Sequence, residues 1–214
     1  MFTGIVNQTC TVAQVESVPG LTRFAVELPP ALSEGLEIGA SVAIDGCCQT
    51  VTQLDSSPED EQNTLVWFDA MQETLLRTTL GSLLNGQSVN VERAAKFGQE
   101  IGGHELSGHI DVTARVLQVS KSETNHIITF SLPDEIEAYV FNKGYLGIHG
   151  ASLTVSDLDK VANSFKVYLI PETLRQTNLG DFSEGAMLNI EVDRRTQVIV
   201  ETVRNYLQET SLKS

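Results

Sequence analysis

The chain alternates apolar and polar positions in short runs over most of its length. TCTVAQVES (9–17), TRFAVELP (22–29), ASVAIDG (40–46), QTVTQLD (49–55), NTLVWFDAM (63–71) and QSVNVER (87–93) are rich in Val, Thr and aromatics, with Gly, Pro, Ser and Asp turns between them. This pattern predicts strands. ETLLRTTLGSLL (73–84) reads as a helix that ends before Asn85-Gly86, and DEIEAYVFN (134–142) reads as a short helix. After the last strand, RRTQVIVETVRNYLQET (194–210) places Ile199, Val203, Tyr206 and Leu207 at helical spacing. An amphipathic helix ending an all-β body either packs on its own domain or bundles with copies of itself.

The strand pattern occurs twice. GIVNQTCTVAQVES (4–17) aligns with GHIDVTARVLQVSK (108–121), and SVAIDGCCQTV (41–51) with YLGIHGASLTV (145–155), both at an offset of 104. ETLLRTTLG (73–81) aligns with ETLRQTNLG (172–180), and VNVE (89–92) with LNIE (188–191), at an offset of 99. The five-residue slip falls in a loop, most simply the acidic SSPEDEQN (56–63). Two copies of this length are two domains rather than a solenoid. Some six strands per copy predict an all-β chain: two similar six-stranded Greek-key barrels in tandem plus a C-terminal helix. The expected bounds are 1–97, 98–193 and 194–214.

Composition narrows the functional classes. The 214 residues carry 41% hydrophobic and 20% charged side chains, as expected of a globular chain with a core. A formal charge of −14 argues against nucleic acid and against an anionic membrane surface as partners. MFTGIVNQT lacks a basic region and a long apolar run, so it does not read as a secretory leader, and no run approaches the ~20 apolar residues of a membrane span. Three cysteines, two of them adjacent, make no disulfide framework, and a cytoplasmic location is expected. His104 and His109 lie in HELSGH, one residue too long for the HExxH zinc pattern and flanked by glycines, so no metal is expected.

Several segments taken together carry a resemblance. MFTGIV, GCCQTVT (46–52), GASLTV (150–155), ERAAKFGQEIGGHELSGHID (92–111) and the twin ETL segments are similar to riboflavin synthases, in register from Met1 to about Leu207. The resemblance implies two Greek-key barrels and a terminal helix in a homotrimer with active sites between subunits. It also implies a dismutation of two 6,7-dimethyl-8-ribityllumazine molecules to riboflavin and 5-amino-6-(ribitylamino)uracil. No cofactor takes part, and lumazine synthase is an expected partner. The rival reading is a non-catalytic antenna protein that holds lumazine or flavin on the same fold.

The resemblance also implies the site. Gly4, Ile5, Val6, Cys48, Gln49, Thr50, Asp69, Ala70, Met71, Gln72, Glu73 and Thr74 are expected to line a lumazine pocket of the first barrel, with Phe2 and Ser41 close to the chemistry. Gly108, His109, Ile110, Lys143, Ser152, Leu153, Thr154, Tyr168, Leu169, Ile170, Pro171, Glu172 and Thr173 are expected to line one in the second. The catalytic set is Phe2, Ser41, Cys48, His109, Ser152 and Asp193. Asp193 directly precedes the terminal helix, so it also reads as an N-cap.

One molecule must donate and the other accept, so positions where the copies differ are informative. Cys48 aligns with Ser152 and Ile5 with His109, while Thr50 and Thr154 are shared. Strand alternation puts Cys48 and Thr50 on one face and Cys47 and Gln49 on the other, with Ser152 and Thr154 likewise opposed to Ala151 and Leu153. Two departures from the family stand out: Gln49 where leucine is usual, and His149 where aspartate is common.

Overall fold

The computed structural model describes every residue except Glu59, Thr124 and 212–214. Glu59 belongs to the loop expected to absorb the slip, and 212–214 to the expected terminal segment, so those positions lie outside the described residues. The first copy contains β1 (Gln8–Val18), β2 (Leu21–Leu28), β3 (Ser41–Ile44), β4 (Cys47–Ser56), β5 (Thr64–Met71) and β6 (Ser88–Arg93). They close into an antiparallel barrel in the order β1-β2-β5-β4-β3-β6, β6 returning to β1. Alternation along each strand sends Val12, Phe24, Val26, Val42, Ile44, Val66, Phe68, Val89 and Val91 inward, where they are buried together.

The second copy contains β7 (Val112–Lys121), β8 (His126–Ser131), β9 (Tyr145–Ile148), β10 (Ala151–Thr154), β11 (Asp157–Asp159), β12 (Ser164–Leu169) and β13 (Met187–Val192). It curls around its own buried core of Val116, Ile128, Phe130, Leu146, Ile148, Phe165, Val167, Leu188 and Ile190. Its sheet runs β10-β9-β13-β7-β8-β12-β11 and is not closed by a ladder. The counterpart of β4 is broken into β10 and β11 at Val155 and Ser156. Val155 N–H donates to Gly144 O (2.9 Å) before β9, and Ser156 N–H to Lys166 O (2.9 Å) in β12. Only the covalent chain between those residues completes the circuit, so the expected second closed barrel is a curled half-barrel.

The helical expectations shorten. A brief α1 (Pro30–Ser33) follows β2, and the 73–84 segment forms α2 (Gln72–Arg77) and then a separate 3-10 turn over Thr79–Ser82. Thr78 breaks the run: its backbone is extended, its hydroxyl donates to Thr74 O (2.7 Å) and accepts from Leu80 N–H (3.2 Å). A hydroxyl that bonds nearby backbone competes with helix continuation. The second copy repeats the device at Thr177, between α3 (Pro171–Gln176) and the turn Asn178–Gly180. The 134–142 segment supplies only the 3-10 turn Glu137–Tyr139.

The terminal helix, α4 (Arg194–Ser211), does not pack on its own domain. Val198, Ile199, Val203, Tyr206 and Leu207 are each more than half exposed. Its attachment is polar: Glu201 accepts from the Tyr139 hydroxyl, and Arg204 lies over the Tyr139 ring.

The two copies meet about an approximate two-fold axis on which aligned residues become neighbours. Phe2 N–H donates to Leu106 O (2.8 Å) and Leu106 N–H to Phe2 O (3.0 Å). Asp45 and His149, also aligned, are buried side by side with Oδ1 and Nε2 3.2 Å apart. Asn90 Nδ2 donates to His149 O (2.8 Å) and Asn189 Nδ2 to Asp45 O (2.9 Å), each reaching into the opposite copy. His149, the second departure from the family pattern, thus has a carboxyl partner in the first copy.

Candidate functional site

A buried glutamate from the last strand of each copy holds the segment ahead of the first strand. Glu92 accepts from Thr3 N–H (2.6 Å), Thr3 Oγ1 (2.8 Å) and Gly4 N–H (3.1 Å). Glu191 accepts from Ser107 N–H (2.7 Å), Ser107 Oγ (2.5 Å) and Gly108 N–H (2.9 Å). Burial raises the pKa of both carboxyls, and the hydrogen bonds they accept pull against that rise. Gly4 (φ 72°) and Gly108 (φ 79°) occupy the left-handed region. A Cβ at Gly4 would lie 2.6 Å from Ser152 Cβ, and one at Gly108 would lie 2.5 Å from Cys48 Cβ. Only glycine satisfies both demands.

Those approaches cross between copies. Ser152 N–H donates to Gly4 O (2.8 Å), and Cys48 N–H donates to Gly108 O (2.8 Å). Val6 belongs to the second copy's core, while Ile110 packs against the first. The expected grouping is therefore corrected. Gly4, Ile5 and Val6 form a wall with Ala151, Ser152, Leu153, Ile170, Glu172 and Thr173, around a cleft of about 370 Å³. Gly108, His109 and Ile110 belong instead with Cys48. A larger cavity of about 800 Å³ is bordered by Cys48, Ser107, His109, Asp193 and Arg194, and by Val198 and Ile199 of α4.

Strand alternation holds at both walls. Cys47, Gln49, Ala151 and Leu153 are buried, while Cys48 and Ser152 are half-buried and Thr50 and Thr154 exposed. Gln49 meets its amide needs locally, donating to Cys48 O (2.8 Å) and Cys47 Sγ (3.3 Å). Ala70 belongs to the first core, and Leu153 and Leu169 to the second, so none offers an exposed side chain to a ligand. Asp69, Met71, Gln72, Glu73, Tyr168, Ile170, Pro171 and Glu172 are exposed, with Thr74 and Thr173 half-buried. Phe2 is buried against Ala43, Leu106 and Cys48, behind the wall rather than on it. Ser41 pairs with Thr50 across the β3–β4 hairpin. Lys143 is exposed in the turn before β9, its N–H donating to Val155 O (2.7 Å), and it does not line the 370 Å³ cleft.

His104, weighed in the sequence only as a metal ligand, sits at this site. Its Nδ1 lies 2.6 Å from Ser152 Oγ, its ring stacks on Tyr145 at 5.5 Å, and its Nε2 is buried without a hydrogen-bond partner. Burial lowers its pKa below the usual imidazole range, against the opposing pull of Asp193. Burial thus disfavours the charged imidazolium at this position. Its repeat counterpart would precede Met1, so comparing the copies could not reveal it. Asp193 caps α4, accepting from Arg195 N–H (3.2 Å), Thr196 N–H (3.2 Å) and Thr196 Oγ1 (2.6 Å). Burial opposes its charge, but those hydrogen bonds prevail and hold its pKa below the usual range.

Cys10 and Cys47 are buried, and burial pushes both thiols up to about 12. Cys48 is the half-buried one. Among the described residues no group of three or more His, Cys, Asp and Glu could hold a metal ion, and no helix is long and apolar enough to cross a membrane.

Comparison with known proteins follows this geometry. The family model described as the lumazine binding domain matches twice, over residues 3–94 and 107–193. Riboflavin synthase of Escherichia coli (strain K12) is 47% identical over 208 residues, covering 97% of this chain and 93% of the relative. Riboflavin synthase of Chlamydia pneumoniae is 37% identical over 207 residues, covering 97% of each. Among solved structures, LumP complexed with riboflavin superposes with a TM-score of 0.80 at 24% identity, covering 91% of this chain and all of that one. LumP complexed with 6,7-dimethyl-8-(1'-D-ribityl) lumazine gives 0.79 at 23%. At that identity the likeness concerns the fold alone.

Proposed function

We propose a division of labour between the two copies from one premise: the chain belongs to the riboflavin synthase family, with its lumazine binding domain present twice. It is an enzyme of riboflavin biosynthesis. Two ribityllumazines react, one passes a four-carbon unit to the other, and riboflavin and the ribitylaminopyrimidinedione leave. The atoms balance with no outside oxidant.

The observation that carries the division is the Ser152–His104 contact at 2.6 Å, which Cys48 lacks in the first copy. In this reading, the second-copy cleft supplies a hydroxyl whose proton a neutral imidazole can accept. Ser152 Oγ, or a water it orients, adds at C7 of one lumazine. The first-copy cavity holds the other lumazine near Cys48, His109 and Asp193, where its acidic C7 methyl gives up a proton to the His109 imidazole and the carbanion spreads into the ring. General acid–base groups contribute about 10²–10⁴-fold, whereas aligning two reactants supplies effective molarities of about 10⁵–10⁸ M. Positioning therefore dominates.

Thr50 and Thr154 are exposed on the two hairpins, where a neighbouring chain could bring two lumazines together. A homotrimer with sites between subunits fits the exposed stripe of α4, and removing α4 is expected to abolish it. Lumazine synthase, as supplier of the substrate, and a cytoplasmic location complete the reading. The test is to incubate the purified protein with the ribityllumazine and follow riboflavin absorbance. One riboflavin for every two lumazines is expected; stoichiometric binding without turnover would replace the enzyme with an antenna protein.

A further inference from the structure

Arg194, the first residue of α4, reaches back onto the segment that carries His109. Its Nη2 donates to His109 O (2.6 Å), and its Nη1 donates to Asp111 Oδ1 (2.9 Å) and to Gln197 Oε1 (2.7 Å) within the helix. Its Nε lies 3.8 Å from Glu191 Oε1, the carboxylate that holds Ser107 and Gly108. Asp111 Oδ2 in turn accepts from Val192 N–H (2.8 Å), just ahead of the helix. One guanidinium thus joins the start of α4, the end of β13 and the pocket segment.

Among the described residues no guanidinium ties the first segment in this way, although Arg93 N–H on Asn7 repeats the Val192–Asp111 bond. The repeat counterpart of Arg194 is Ala95, whose side chain cannot reach back to Ile5, and the counterpart of Asp111 is Asn7, which accepts only from Arg93 N–H (2.9 Å). The asymmetry falls on one pocket. His109 and Arg194 border the same 800 Å³ cavity, alongside Val198 and Ile199 of the exposed stripe. Bonds from a charged fork are short and direction-specific, so a shift of α4 is passed to the His109 backbone rather than absorbed.

We propose that Arg194 is a positioning residue that couples the seating of α4 to the placement of His109 in the first-copy pocket. The inference rests on reading that cavity as a ligand pocket. Whatever covers the α4 stripe is then sensed at His109, while Gly4 and Ser152 in the other cleft make no contact with Arg194 and serve as the internal control.

The test compares amide exchange in the full-length protein and in Arg194→Gln and Arg194→Lys. In Arg194→Gln, exchange at the Cys48 and Gly108 amides should quicken about tenfold, while the Ser152 and Gly4 amides stay within about twofold. Arg194→Lys should restore part of the protection, because an ammonium can serve His109 O or Asp111 but not hold both in one plane. Riboflavin titration of Arg194→Gln should show one weakened class of site and one unchanged. Equal loosening of both amide pairs, as a purely structural role would give, or no change in either, would overturn the proposal. A wild-type chain that neither binds nor converts lumazine would instead strike the functional reading, leaving the amide comparison to decide the coupling.

Discussion

At Cys48 in the first half and Ser152 in the second, the same backbone amide meets the same partner, the carbonyl of a left-handed glycine from the other half. Around that shared frame the side chains diverge. Ser152 has His104 at 2.6 Å, whereas among the described residues Cys48 Sγ has no imidazole hydrogen-bond partner. His109 stands where the other half has Ile5, and Arg194 where it has Ala95. The backbone frame is common to both halves. The proposed division of roles between two identical reactants rests on the side chains that differ.

The hardest blow to this comparison falls on the shared frame. Gly4→Ala and Gly108→Ala each force a Cβ onto the facing strand in a left-handed conformation, and each should cost about 3–5 kcal/mol in chemical denaturation. Tolerance of one but not the other would mean that the frame is not equivalent in the two halves. Next comes the axis. Asp45→Ala or His149→Ala leaves a buried partner uncompensated and should cost about 3 kcal/mol, with the double variant losing less than the sum.

The divergent side chains should show in kinetics rather than stability. Ser152→Ala and His104→Gln should each lower kcat by about 10²-fold, and their combination little more, since they act as a unit. Cys48→Ser, at a side chain with no His hydrogen bond like that of Ser152 among the described residues, should cost about tenfold or less. Equal losses at Cys48 and Ser152 would remove the proposed division of roles. A finer probe is pH. Because burial lowers the pKa of His104, its neutral form persists below pH 6.5, and an acid limb in kcat should begin beneath that value and vanish in His104→Gln. The same shift means that its contribution to stability is fully present above pH 6.5 and erodes as pH falls through the window beneath it. The smallest effect is chemical: iodoacetamide should label Cys48 first, with Cys10 and Cys47 resistant until unfolding.

Much of this architecture is legible in the letters. The offsets of 104 and 99 reveal the duplication, and period-two alternation assigns the correct faces at 47–50 and 151–154. What alternation cannot convey is which copy's segment docks on which wall. Gly4 and Ser152 meet across about two-thirds of the chain, and a contact that distant leaves no periodic mark. His104 was hidden because its counterpart would precede Met1. The seat of α4 stays open in the sequence because an amphipathic period shows that a face will be covered, without showing by what. His149 was visible as an oddity whose partner was already in the alignment: near the axis, residues that align also touch, as Asp45 and His149 do.

The crossed docking of Gly4 on Ser152 and Gly108 on Cys48 has a further consequence. A polypeptide holding one copy could complete a wall only by exchanging segments with a second molecule, an encounter that weakens with dilution. Joined in one chain, the partners meet at an effective concentration set by a short connection, of about millimolar order. The fusion also frees each partner to change on its own, which a symmetric pair of identical chains could not do.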